Sequence, residues 1–291
     1  MNDFLFRASR AVRDLSPASR RWRRFLRSLP VDPDNLSLPL AEPGERDFIL
    51  CGAPRTGTTL LSAMLVQPPT VYTVMEPWDG MRLPPGELFA GLRSSIRAEG
   101  TLTAGKLDTA ALLHSGEVQW TREGHGGAPV ELADDLVLGV KWPVFWRYLP
   151  HLPNTRFIVT LRHPYEVIAS FRKHGGRLRM GLEYDTAFNR RMNAQLQRAT
   201  SSLARRRVLL FDYIHERIVP FLSRPNVLAV RYERWFSEAD SIRAEISAFL
   251  GVELREGLAK IRRPAPSDLS ARERDLIRSE CGTAAALGYT L

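Results

Sequence analysis

Two groups of residues in this chain have the types and spacing to hold anionic phosphate-like groups. The first is Gly52-Ala53-Pro54-Arg55-Thr56-Gly57-Thr58-Thr59. Its glycines are spaced as in the nucleoside-triphosphate loop G-x-x-x-x-G-K-[ST], but Thr58 stands where that loop carries lysine. Backbone N–H groups of such a loop, with a helix N-terminus behind them, converge on one anion. Without the lysine, grip on β- and γ-phosphates is compromised, and the positive charge sits inside the loop as Arg55. The expected ligand is an anionic nucleotide other than ATP or GTP. The second group is Arg162 and Ser170, in Leu161-Arg162-His163-Pro164 and the run after it. Ser170 lies two helical turns beyond His163, on the face that carries the helix entrance, so an arginine and a hydroxyl can hold one phosphate between them.

These residues need a frame of strands and helices. Apolar runs predict strands at 48–51, 71–75, 136–140, 157–161 and 227–230. Helical spacing follows the glycine loop and recurs at 164–173, 183–205, 208–221 and 238–250, the last with Ser237 as N-cap and Gly251 as C-cap. Pro164 suits the first position of its helix. Alternating strands and helices imply an α/β fold: a three-layer, P-loop-type sandwich with a mostly parallel sheet covered on both faces. Residues 77–135, rich in Gly and Pro, read as a long insertion over the carboxyl edge of the sheet, where ligands bind in such folds.

Composition narrows the classes. Of 291 residues, 44% are hydrophobic and 25% charged, as in ordinary soluble domains. No apolar stretch reaches the roughly 18–20 residues of a membrane helix. The N-terminus has no apolar core before a small-residue cleavage site, and the expected compartment is cytoplasmic. Cys51 and Cys281 make no disulfide framework, and Cys51 reads as a small buried residue. The net charge of +9 rests almost wholly on arginine: the lysines are only Lys106, Lys141, Lys173 and Lys260. No zinc spacing or RNA-binding aromatic motif accompanies it, so no nucleic-acid partner is expected. Residues 1–45 read as a basic extension with a short helical stripe (Trp22, Phe25, Leu26, Leu29), either packed on the core or touching anionic lipid. Residues 46–291 read as a single α/β domain.

Taken together, the two anion sites resemble those of the PAPS-dependent sulfotransferases. In that family a loop [KR]-[ST]-G-[ST]-[ST] grips the 5′-phosphosulfate, and a strand-end arginine with a serine eight residues later grips the 3′-phosphate. Arg55, Thr56, Gly57, Thr58 and Thr59 match the first; Arg162 and Ser170 match the second. Val230-Arg231-Tyr232-Glu233 and the helix ending Phe249-Leu250-Gly251 resemble a recurring family segment, and the likeness spans about residues 46–251. It implies PAPS as cosubstrate, adenosine 3′,5′-bisphosphate as product, and no metal. It also implies a general base for the acceptor hydroxyl, since hydroxyl pKa values lie far above 7. Glu76, ending the second strand, matches the glutamate base of the glycan and protein-tyrosine branches; Asp79 and then His114 stand in reserve. Lys141, ending the strand at 136–140, matches a lysine that stabilises the leaving oxygen. Trp142, Phe145, Trp146 and Tyr148 are expected in the core, Trp78 near the acceptor, and Arg262-Arg263-Pro264 over the nucleotide. Glycan, lipid, natural-product and peptide-tyrosine hydroxyls all fit as acceptors. The rival classes are a P-loop nucleotide kinase or NTPase, opposed by the absent lysine and Walker-B aspartate, and a non-catalytic nucleotide-binding protein at a membrane surface.

Overall fold

The computed structural model describes residues 40–81, 83–102, 105–119, 127–129, 133–174, 176–184, 187–256, 265 and 268–291. The stripe at 22–29 and the Arg262-Arg263-Pro264 segment lie outside the described residues.

Five strands form one parallel sheet: β1 (Phe48–Gly52), β2 (Val71–Met75), β5 (Val137–Lys141), β6 (Arg156–Leu161) and β7 (Val227–Arg231), in the order β2-β5-β1-β6-β7. Alternate residues feed two cores, because successive side chains leave opposite faces of a strand. Ile49 and Cys51 pack into one core with Val140, Val159 and the helical residues Val167 and Phe211. Phe48 and Leu50 pack into the other with Ile158, Leu61, Ile242 and Ile246. A sheet buried on both faces needs the continuous apolar runs that these strands carry. The chain leaves β1 on one side for β2 and β5 and on the other for β6 and β7. The crevice of such a switch therefore opens at the carboxyl end of β1.

Around the sheet lie α1 (Thr58–Met64), α2 (Pro85–Glu99), α3 (Thr109–Ser115), α4 (Pro164–Lys173), α5 (Ala187–Ala199), α6 (Leu203–Ile218), α7 (Ala239–Leu250) and α8 (Ala271–Glu280). Several boundaries differ from expectation. The helix expected over 183–205 stops at Ala199. Ser202 caps a new one, its side chain accepting from Arg205 N at 3.4 Å, so α6 starts at Leu203 rather than at 208. Ser237 does not cap α7. The N-cap is Glu238 with no side-chain cap bond, and Arg234 holds this end instead through Glu238 at 2.9 Å and Glu245 at 2.6 Å. Gly251 is the left-handed C-cap expected.

The 77–135 region is more regular than its composition suggested. It contains the 15-residue α2, the short α3 and a two-stranded ribbon of β3 (Thr101–Leu102) and β4 (Ala128–Pro129). It does reach the carboxyl edge of the sheet: Gly105 bridges Met75, and Lys106 N donates to Met75 O at 2.9 Å. A Cβ on Gly105 would lie 2.1 Å from that carbonyl, and its φ is +63°, so glycine is required for this approach. The aromatics Trp142, Phe145, Trp146 and Tyr148 are buried in the core, as expected.

Candidate active site

At the carboxyl ends of β1, β2 and β5, a cavity of about 210 Å³ is lined by Arg55, Thr58, Thr59, Glu76, Lys106, Lys141, His174, Glu183 and Tyr184, among others. The glycine loop supplies its first wall. Arg55 adopts φ 73°, and Glu76, just past β2, adopts φ 50°. These are the non-glycine residues with positive φ among the described residues, and both line the one cavity. Such conformations cost about 1–3 kcal/mol each and persist where surrounding structure enforces them. Glu76 is enforced by its backbone N–H, which donates to Lys141 O at 2.8 Å.

The loop itself is braced from inside. Thr56 is fully buried; its Oγ1 donates to Ala53 O at 2.6 Å and shares a 2.6 Å bond with Thr160 Oγ1 on β6. Its hydroxyl is thus spent on the loop's shape, and so is its backbone N–H, which donates to Ala53 O at 3.3 Å. Gly57 has φ +100°, and a Cβ there would lie 2.3 Å from the Tyr232 ring, so only glycine lets β1 turn into α1 beneath that tyrosine.

The two anion motifs meet. Arg55 Nε donates to Ser170 Oγ at 2.9 Å, and Arg162 donates to Arg55 O at 3.2 Å. Arg162 also stacks its guanidinium 4.4 Å from the Tyr232 ring and lies 3.5 Å from the Glu166 carboxylate. Its Nε is buried with no hydrogen-bond partner among the described residues. Burial and then the neighbouring Arg162 charge lower the pKa of Arg55. Two guanidiniums pressed together with an unused donor form a receptor for an anion.

On the other wall, Lys141 is 1% exposed and joins Glu76 Oε1 at 2.6 Å, while its Nζ also donates to Thr59 Oγ1 at 3.3 Å. The ammonium absent from the loop's own sequence thus reaches the loop from β5. Lys106 meets the second oxygen, Glu76 Oε2, at 3.2 Å and lies 5.1 Å from the centre of the Trp142 ring. Burial alone would raise the Glu76 pKa, but the charges and hydrogen bonds of Lys141 and Lys106 hold it below the usual carboxylate range.

Arg55, Thr56, Gly57, Thr58, Thr59, Glu76, Lys141, Arg162 and Ser170 therefore lie together at this edge of the sheet. Asp79 and His114, the reserve bases, are exposed and do not line the cavity. Sequence reasoning missed Lys106, His174 and Glu183. For Lys106 a signal existed, since lysine is scarce in this chain and Lys141 was singled out on that ground. His174 and Glu183 come from the segment after α4; the helix expected to begin at 183 begins at Ala187, which leaves Glu183 before α5 instead of in its first turn. His174 Nδ1 accepts from Gly176 N at 3.0 Å; burial and then Arg55 lower its pKa.

The chain matches the family model described as Sulfotransferase family over residues 47–256. No curated protein matches the sequence significantly. Among solved structures it is similar to a sulfotransferase domain from the curacin biosynthetic pathway, at 19% identity, covering 86% of this chain and 100% of that one, with a TM-score of 0.45. A sulfotransferase from Alicyclobacillus acidocaldarius gives 16% identity, 87% and 98% coverage and a TM-score of 0.46. A mouse sulfotransferase complexed with PAP gives 14% identity, 86% and 68% coverage and a TM-score of 0.36.

Proposed function

Since the chain belongs to the sulfotransferase family, we propose that it moves a sulfuryl group from PAPS to an acceptor hydroxyl. The observation that carries this reading is the convergence, in one cavity, of the arginine-bearing glycine loop with the Glu76–Lys141 ion pair. PAPS fits the groups present. Arg55, Gly57, Thr58 and Thr59, on a loop braced from inside by Thr56, would hold the 5′-phosphosulfate, and Arg162 with Ser170 the 3′-phosphate. The unpartnered Arg162 Nε is a donor that this phosphate would satisfy.

Glu76 serves as the base. As the acceptor oxygen bonds to sulfur, the bond from sulfur to the bridging phosphate oxygen breaks and the hydroxyl proton passes to the Glu76 carboxylate. Clamped by two ammonium groups, Glu76 is a weak base at rest. Lys141 can relieve that clamp, because its ammonium already bridges Glu76 and Thr59. Drawn toward negative charge at the loop, it frees Glu76 Oε1 and neutralises the charge that grows on the leaving oxygen. Lys106 stays on Oε2 and keeps the carboxylate aimed. We further propose the cytoplasm as compartment and a peripheral contact with anionic lipid through the basic N-terminal segment.

Arg162→Ala tests the nucleotide half of this reading. It should weaken binding of adenosine 3′,5′-bisphosphate by about 2–5 kcal/mol, as loss of a buried charge-assisted contact does, while 5′-AMP binding stays nearly constant. Equal losses for both nucleotides would make Arg162 a structural residue.

A further inference from the structure

Glu183 is the one cavity-lining carboxyl besides Glu76 among the described residues, and the scheme above does not use it. It is 2% exposed. One oxygen is engaged: Oε2 accepts from Tyr184 N at 3.2 Å. The other, Oε1, is buried with no hydrogen-bond partner among the described residues. Leaving a buried carboxyl oxygen unpaired is costly, and native structures seldom do so without a use for it.

The residue is also held from both sides of its backbone. Its N–H donates to Asn193 Oδ1 at 2.9 Å, and its carbonyl accepts from Asn193 Nδ2 at 3.1 Å and from Arg177 Nε at 2.7 Å. Asn193, on α5, is itself buried. A cavity-lining residue in an irregular segment, pinned in this way and with one oxygen buried and unpaired, is built like a binding group.

We propose that Glu183 binds the acceptor through Oε1, engaging a second hydroxyl close to the one that is sulfated. The inference rests on the sulfotransferase reading and names its substrate class: an acceptor with at least two neighbouring hydroxyls. The cavity is small, so an acceptor presenting one hydroxyl to Glu76 lies against Glu183 as well. Burial first, partly offset by the Tyr184 N–H and Arg147 and reinforced by the charge of Glu76, raises the Glu183 pKa to about 7. The groups acting on it are thus Arg147 from the turn after β5, Arg177 from the turn after α4, Glu76 from the end of β2 and the adjacent Tyr184. A carboxyl that is half-protonated near neutrality both donates and accepts. A hydroxyl satisfies either form, whereas an ammonium satisfies only the ionised one.

The test compares matched acceptors with the full chain and PAPS: phenol against catechol, and cyclohexanol against trans-cyclohexane-1,2-diol. Binding of adenosine 3′,5′-bisphosphate, measured first by calorimetry, separates failure of this inference from failure of the reading beneath it. The wild type should favour each diol by about ten- to a hundredfold in kcat/KM, the worth of one buried hydrogen bond to a carboxyl. Glu183→Ala should bring that ratio to within a few-fold of one. Glu183→Gln, which also donates and accepts, should keep part of the preference but lose its pH dependence between 6 and 8. Three results would overturn the proposal: equal use of mono-ol and diol by the wild type, a diol preference undiminished in Glu183→Ala, or no transfer to either diol by a chain that binds the nucleotide.

Discussion

Asp212 and Glu183 are both buried carboxyls, 7% and 2% exposed, on parts of the chain that close the same core. Asp212, on α6, is saturated. Its Oδ1 accepts from Thr283 N at 3.1 Å, Thr283 Oγ1 at 2.6 Å and Cys281 Sγ at 3.4 Å, and its Oδ2 accepts from Gly282 N at 3.0 Å. It ties the segment after α8 to the core. Glu183 has one oxygen used and one idle, and Glu76 has both oxygens on ammonium groups. The contrast separates a carboxyl buried to hold the fold from carboxyls buried to meet something else. Saturation by fixed backbone donors marks the first; an idle oxygen, or partners that can move, marks the second.

Removing each carboxyl in turn should give distinct losses. The largest effect should come from Glu76→Gln, which keeps shape but cannot take a proton. Transfer from PAPS to the best diol acceptor should fall about 10²–10⁴-fold with nucleotide affinity nearly unchanged. Turnover within a few-fold of wild type would remove Glu76 from the chemistry. Asp212→Ala should behave oppositely: stability lower by about 3–4 kcal/mol in urea unfolding, because several buried donors lose their acceptor, and nucleotide affinity of the folded protein unchanged. A folded, fully stable Asp212→Ala protein would erase the distinction.

Glu183→Gln sharpens the comparison through pH. The folded pKa of Glu183 is raised from about 4.5 to about 7. Its contribution to stability is therefore fully present below about pH 4.5 and is lost as pH rises through about 7. Wild type should lose ground to Glu183→Gln across that window, by about 3 kcal/mol at most. Parallel stability curves for the two proteins between pH 4.5 and 8 would mean that Glu183 does not titrate in this way.

How much of this could be read from sequence differed between the two sides of the site. β2 at Val71–Met75 and α4 at Pro164–Lys173 match their expected limits, because an apolar run and a proline at the first helical position are local signals. The side formed by the glycine loop, Arg162 and Ser170 was legible because these residues lie on short motifs whose geometry is local. α2 was not, although Leu88, Phe89, Leu92 and Ile96 follow helical spacing: Pro84, Pro85, Gly86 and Gly91 gave the segment the composition of a loop. The side of the cavity formed by Lys106 and Glu183 was less legible still. Glu183 faces the cavity because Asn193, ten residues on, clamps its backbone. Lys106 reaches Glu76 because Gly105 lets the chain touch β2. Both are consequences of packing between segments, which no local pattern announces.

A glycine loop without its lysine, joined by Arg55 to Ser170 and lying beside Arg162, is proposed to receive a 3′,5′-bisphosphorylated nucleotide. Thermal unfolding of the protein with adenosine 3′,5′-bisphosphate, ADP and ATP, each with and without magnesium, measures this directly. Adenosine 3′,5′-bisphosphate should stabilise the fold most, by about 3–4 kcal/mol at a hundred to a thousand times its Kd, ADP should do less, and magnesium should add nothing. Stabilisation by magnesium-ATP equal to or greater than that by adenosine 3′,5′-bisphosphate would contradict it.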